Sequence, residues 1–279
     1  MKFGTLQSVL GDPLPGVFAV AADLGFDGVE LDWRDPAEAQ PGGSLAPNRR
    51  LALRDMAQAA GVEICSVAAH FLNQPGLAAF DMKRRQWACD AVRAGIALCH
   101  DLGADLLLVP FFGEGEIETP QAAAFLAENL RNLAPIAAKA GVTLAIEHTL
   151  PAHRAVRLLD AVGSSAVGDY WDMANCLSLG YDPLDEIAQL GPRIARVHAK
   201  EYDAGENMPA NPRPPQTYPG LNTRPFGQGR VPVAAILSAL ADIGYDGYIV
   251  LETGAFGDKH ASARAALDHL RRNIGAAPP

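Results

Sequence analysis

Five times in this chain a helix-like stretch runs into a glycine and then, a residue later, into a polar residue that opens an apolar run. The instances are Leu24-Gly25-Phe26-Asp27, Ala60-Gly61-Val62-Glu63, Leu102-Gly103-Ala104-Asp105, Ala140-Gly141-Val142-Thr143 and Ile243-Gly244-Tyr245-Asp246. Glycine just past a helix end takes the left-handed conformation at little cost, so each instance reads as a connection from helix into strand. A unit repeated this often constrains the fold. The apolar runs predict strands near Phe3 and at Gly28 to Leu31, Ile64 to Ala68, Leu106 to Val109, Thr143 to Glu147, Val167 to Asp172, Ile194 to His198 and Tyr248 to Glu252. Helices are predicted at Met82 to Leu102, Pro120 to Ala140, Val231 to Ile243 and Lys259 to Asn273, several with proline near the first turn. Eight alternating units within one domain, residues 1–279, predict an α/β protein of the (β/α)8 barrel class. A doubly wound sheet is the alternative, weakened by the lack of a GxGxxG motif after the first strand.

Composition excludes several partners. With 49 % hydrophobic and 20 % charged residues among 279, the chain has ample core for a globular fold. A net charge of -9 and a pI near 5.2 argue against nucleic acid, whose phosphate backbone is bound by lysine and arginine patches, and favour a small-molecule partner. No apolar run reaches the length of a membrane span, and the start is interrupted by Asp12, Pro13 and Pro15, so a cytoplasmic protein is expected. Cys65, Cys89, Cys99 and Cys176 form no CxxC pair and read as reduced core residues.

Two segments depart from the repeat. Arg34 to Asn48 follows the second strand, and residues 201–229, with six prolines, follow the seventh. Loops of this length are commonly functional, and in a barrel both would border the C-terminal mouth where active sites of this fold are built.

The strand ends carry the chemistry. GVTLAIEH ends a buried strand on Glu147, and burying an ionised carboxylate without a partner costs several kcal/mol. The next three strands end on Asp172 in VGDYWD, His198 in ARVH and Glu252 in YIVLE. Four consecutive strands thus deliver three carboxylates and an imidazole to one mouth. With no thiolate among them, this oxygen-rich set suits one divalent ion such as Mn²⁺, Mg²⁺, Co²⁺ or Zn²⁺, whose charge offsets the repulsion of the carboxylates. A metal bound to a carbonyl and its neighbouring hydroxyl makes the hydrogen between them removable, and glutamates on opposite sides of the mouth would exchange it between the two faces.

At these residues the chain resembles the xylose isomerase-like TIM-barrel superfamily of sugar isomerases and epimerases. The marks are LAIE, the Asp172-Met-Ala-Asn175 turn, His198-Ala-Lys200-Glu, the Gly227-Gln-Gly229 turn and GYDGYIVLE, spread over nearly the whole chain. The resemblance implies that Glu147, Asp172, His198 and Glu252 are metal ligands, with Mn²⁺ the leading ion, and that Glu147 and Glu252 are also the acid/base pair. It implies an isomerase or epimerase of a small polyhydroxylated carbonyl compound, a keto sugar or sugar phosphate; a dehydratase of the inosose dehydratase type is the alternative, and a non-catalytic sugar-binding barrel a distant one. Similar proteins are commonly dimers or tetramers, so a homo-oligomer is an expectation.

The chain also departs from relatives within that superfamily. Asn175 stands where the repair nuclease and the ketose epimerases carry a histidine, Val109-Pro110-Phe111-Phe112 has no histidine, and Lys200 rather than an arginine follows His198. These changes argue against a trinuclear cluster and against DNA as substrate. His70 in SVAAHF, Trp33, Asn175 and Lys200 are the substrate-binding candidates. Glu30 reads equally as a mouth residue or a partner for a loop, His148 faces away by strand alternation, His153 lies in the loop after strand five, and Gly227-Gln-Gly229 is a weak anion cradle.

Overall fold

The apolar runs pair as parallel strands in chain order: Lys2–Leu6 (β1), Gly28–Trp33 (β2), Glu63–Ala69 (β3), Leu106–Phe111 (β4), Thr143–His148 (β5), Val167–Asp172 (β6), Ile194–Ala199 (β7) and Tyr248–Leu251 (β8). β8 pairs with β1 and closes the barrel, which is the (β/α)8 fold that the repeat predicts. The computed structural model describes residues 1–74, 76–203 and 223–274. Helices within these residues are Gln7–Leu10 (α1), Gly16–Leu24 (α2), Pro47–Ala60 (α3), Met82–Leu102 (α4), Pro120–Ala140 (α5), Ala152–Val162 (α6), Met173–Ser178 (α7), Pro183–Leu190 (α8), Val233–Asp242 (α9) and Lys259–Asn273 (α10). None is long and apolar enough to cross a membrane.

All five glycines of the repeat lie at positive φ, as their place after a helix requires. Gly163 does the same after α6, but Ser164-Ser165 follows it and obscures the pattern in the sequence. The segment Arg34 to Asn48 is more ordered than expected: Asp35 and Glu38 form a capping box over a 3₁₀ turn at Pro36–Ala39, and α3 begins at Pro47. Of the predicted 201–229 loop, residues 204–222 lie outside the described residues, and Tyr202 bridges to Thr223 across them.

Alternation along each strand divides the core. Inside the barrel, the Tyr248 ring fills the space left by Gly4 and Gly28, and Arg196 stacks over that ring at 5.1 Å while pairing with Asp105 at 2.6 Å. Above them pack Leu6, Ala68, Leu106, Leu108, Ala145 and Tyr170. The register shift between Asp169 and Tyr170 in the β6–β7 pairing sets the phase that brings Asp172 beside His198. The four cysteines are free and buried, and burial pushes the Cys65 thiol up to about 12.

Outside the barrel, strands pack on helices, and here one expectation is corrected. Trp33 does not wall the mouth. Its neighbour Asp32 takes the inward side, so Trp33 points outward, is 2 % exposed, packs edge-on against Phe71 at 4.8 Å and lies in the main core. Gly95 of α4 makes room for it. A Cβ there would lie 2.7 Å from Leu107 Cδ2 and 3.1 Å from the Trp33 ring, both fully packed. Valine at 95 gains a few tenths of a kcal/mol in helix propensity over glycine, against about 1–3 kcal/mol for overpacking. Gly95→Val is therefore expected to destabilise the fold by about 1–3 kcal/mol, read as a lower denaturant midpoint at unchanged slope; an unshifted midpoint would show that this contact yields freely.

Candidate metal centre

Glu147 closes the apolar part of β5, Asp172 ends β6, His198 lies one residue from the end of β7, and Glu252 follows β8. Parallel pairing sets Asp172 directly opposite His198, and His198 opposite Val250, two residues before Glu252. One ligand atom from each of the four lies within 4.8 Å of the others. The tetrad expected from strand ends is thus brought to one centre. His148, next in β5 after Glu147, faces the other way and pairs with Asp169 at 2.9 Å.

His198 is fully buried, and its two nitrogens have different partners. Nε2 lies 2.8 Å from Glu30 Oε1, while Nδ1 lies 3.1 Å from Glu252 Oε2 and 3.3 Å from Glu147 Oε1. Glu30, 0 % exposed, also accepts hydrogen bonds from Ser66 Oγ at 2.6 Å and Tyr170 Oη at 2.8 Å. Burial and the facing Glu30 carboxylate push the Tyr170 hydroxyl well above its usual range, which keeps it a donor. Glu30 is therefore the floor of the site, neither at the rim nor tied to a loop. The signal in the sequence is a carboxylate between Val29 and Leu31 on the inward phase of β2; its partners come from β3, β6 and β7, which no local pattern reveals.

Asp172 divides its two oxygens. Oδ1 caps α7 by accepting the backbone N–H groups of Ala174 at 2.8 Å and Asn175 at 2.6 Å. Oδ2 is buried, receives no hydrogen bond among the described residues, and has the Lys200 ammonium 3.4 Å away. Lys200 Nζ is closer to Glu252 Oε2, at 2.8 Å. Asn175 donates from Nδ2 to Glu147 Oε1 at 3.2 Å, and its buried Oδ1 has no hydrogen-bond partner.

The electrostatics follow from this crowding. Burial raises the Glu147 carboxyl, with His198 only partly opposing it, and burial raises Asp172 despite Lys200. At Glu252 burial is outweighed by Lys200 and His198, so its carboxyl is held well below the usual range. His198 is pushed well above its usual range, because Glu252, Glu147 and Glu30 together outweigh its burial. Three carboxylates and a histidine nitrogen converge, and two carboxylate oxygens, Asp172 Oδ2 and Glu252 Oε2, are buried without a hydrogen bond among the described residues. This set fits a divalent cation, which would be held by Glu147, Asp172, Glu252 and His198 through Nδ1, with the Glu30 contact at Nε2 setting the tautomer.

Other candidates are distributed around this centre. Lys200 and Asn175 belong to it. His70, half-buried, is fixed by Asp32 at 2.8 Å from Nε2, at the start of the turn after β3. Trp33 is absent from the site, and His153 is exposed on α6. The Gly227-Gln-Gly229 turn does cradle an anion, but the anion is the chain's own Glu201. That buried carboxylate accepts backbone N–H groups of Gly227 at 2.9 Å and Val231 at 3.0 Å, and a side chain at Gly229 would strike it. The turn thus anchors the segment after β7 beside the centre.

The sequence model of the xylose isomerase-like TIM barrel matches residues 18–273. A 2-epi-5-epi-valiolone 7-phosphate 2-epimerase from an Actinoplanes species is 31 % identical over 258 residues, 91 % of this chain and 87 % of the relative. A fructoselysine 3-epimerase from Shigella flexneri is 22 % identical over 93 % of this chain and 92 % of its own length. Among solved structures, D-psicose 3-epimerase superposes with a TM-score of 0.76 at 20 % identity, covering 99 % of this chain and all of that one. The 3-keto-D-glucoside 4-epimerase of E. coli gives 0.75 at 19 % identity, over 98 % and 99 %. By sequence and by fold, the chain belongs to the xylose isomerase-like TIM-barrel family and stands there among isomerase and epimerase enzymes.

Proposed function

We propose that this protein is a divalent-metal-dependent epimerase or isomerase of a small polyhydroxylated carbonyl compound, a keto sugar or a relative of one, with Mn²⁺ as the leading ion. The observation that carries the reading is the convergence of Glu147, Asp172, His198 and Glu252 on one centre at the C-terminal mouth. Relatives that act at C2, C3 or C4 of their substrates support a proton transfer beside a carbonyl. Its buried free thiols suit a reducing cytoplasm.

A bound divalent ion supplies electrophilic stabilisation for the negative charge that develops when a carbonyl neighbour loses its proton. The chain's own residues supply the rest. Glu147 and Glu252 approach His198 Nδ1 from strands on different sides of the ring, so they are placed to flank a substrate. One removes the proton and leaves an enediolate; the other returns a proton to the opposite face, which inverts the carbon. Lys200 keeps Glu252 ionised and adds positive charge next to the reacting atoms. Asn175 holds Glu147 through Nδ2 and presents its unpartnered Oδ1 to a substrate hydroxyl. His70, oriented by Asp32, binds a second hydroxyl at the rim. Glu30 accepts the His198 Nε2 proton and so leaves Nδ1 facing the centre, where a bound ion would take its lone pair in place of the proton that the carboxylates otherwise hold there.

Incubation of the Mn²⁺-loaded protein in D2O with ketoses, fructoselysine and 2-epi-5-epi-valiolone 7-phosphate, followed by NMR, is expected to give deuterium at one carbon of one member. Loss of water from that member would instead mark a dehydratase. Glu147→Gln and Glu252→Gln are expected to abolish the exchange in folded protein, and near-normal exchange in either variant removes that residue from the acid/base pair. Glu30→Gln is expected to weaken Mn²⁺ binding roughly 10- to 100-fold by calorimetric titration, with the far-ultraviolet circular dichroism unchanged; wild-type affinity would show that His198 needs no such partner.

A further inference from the structure

At the C-terminal mouth the segments that follow β1, β2 and β8 line an open pocket of 490 Å³, with Ser8, Asp32, Ser44, Arg49 and Lys259 among its residues. Two links tie it to the centre. Lys259, the first residue of α10, stands seven residues beyond Glu252 in the chain. Asp32 spans the boundary, holding His70 through Oδ1 and accepting the Ser8 N–H through Oδ2 at 2.8 Å.

The charges of the pocket are unevenly engaged. Each acid that lines it already has partners: Asp12 pairs with His260 at 2.7 Å, Asp32 with Arg34 and His70 at 2.8 Å each, and Glu38 accepts the backbone N–H groups of Arg34 and Asp35. The exposed side chains of Arg49 and Lys259, in contrast, make no hydrogen bond or ion pair among the described residues. The Lys259 ammonium lies against Gly11, the glycine at φ 81° that closes α1. On a chain of net charge -9, two exposed cations without ion-pair partners among the described residues that line one pocket are not part of a general basic surface.

We propose that this pocket binds the phosphomonoester of a phosphorylated substrate, with Arg49 and Lys259 as its cationic donors and the Ser8 and Ser44 hydroxyls as neutral ones. The proposal rests on the epimerase reading, and names the substrate class for the same site. A guanidinium fits two phosphate oxygens at once and an ammonium serves as a point charge, whereas a neutral hydroxymethyl end would leave both cations without a counter-charge. The reacting carbon then lies at the metal centre and the phosphate at the opposite end of the substrate, so that the anion is kept away from Glu147 and Glu252.

The test compares kcat/KM for 2-epi-5-epi-valiolone 7-phosphate and for the same compound without its phosphate, in Mn²⁺-loaded protein, and likewise for any other exchanging substrate as a phosphorylated and unphosphorylated pair. The phosphorylated form is expected to be preferred, and Arg49→Gln and Lys259→Gln each to lower that preference roughly 10- to 100-fold, chiefly through KM. Arg49→Lys is expected to restore part of it. Inorganic phosphate, followed by ³¹P NMR, is expected to bind the wild-type chain and to bind at least tenfold more weakly when both cations are replaced. Exchange with no preference for phosphate, or a preference that both single variants retain, overturns the phosphate pocket and leaves the epimerase reading intact. Phosphate binding that depends on the two cations, with exchange on no substrate, overturns the epimerase reading and leaves the pocket. Phosphate binding indifferent to both replacements overturns the pocket.

Discussion

Like charges held within 4.8 Å of each other are the constraint on which the rest of this protein depends. Three carboxylates cannot share a buried site as anions without positive charge among them. The chain itself supplies some. Lys200 reaches two of the carboxylates, and His198 lies between two. Yet burial still raises Glu147 and Asp172, so the cations from the protein do not balance the site. A doubly charged ion would supply that balance, and Asp172 Oδ2, buried and without a hydrogen bond among the described residues, would offer it a ligand atom. A barrel is well suited to hold such a set, since each ligand comes from a strand whose position is fixed by neighbours on both sides, with no free edge to relax.

The same logic extends one layer down. His198 serves a cation only if one nitrogen presents its lone pair, and that choice is made at the other nitrogen by Glu30. Glu30 is itself a buried carboxylate, and Ser66 and Tyr170 hold it from two further strands. Four strands thus meet in one polar network beneath the centre: β2, β3, β6 and β7. Residues whose substitution disturbs the metal are consequently more widely spread than the four ligands, and they lie in the densely packed interior rather than in the loops.

The sequence made the framework legible because the framework is periodic. The glycine that follows a helix and opens an apolar run is a local signal that places five of the eight strands, and the apolar runs themselves place the other three. The tetrad was legible for a related reason, since an acid or histidine that ends an apolar strand stands out against its neighbours. Glu30 was not, because its meaning lies in partners 36, 140 and 168 residues away. Trp33 misled on phase. A tryptophan just after Asp32 looks like part of the mouth, but the alternation that turns Asp32 inward turns Trp33 out toward Gly95 of α4. The Gly227-Gln-Gly229 turn looked like a site for an external anion because backbone N–H groups gather there; Glu201, at the start of the same loop, already occupies them.

That division of labour bears on substrate choice. Residues on strand ends are fixed by barrel registration and leave little room for variation without loss of the metal centre. Asp12, Arg49 and Lys259 stand on segments after β1, β2 and β8, outside the hydrogen-bonded barrel, and can change with little effect on its packing. Under the proposed reading, proton transfer and recognition of the distant end of the substrate would be carried by separate parts of the chain, so that one could vary without the other.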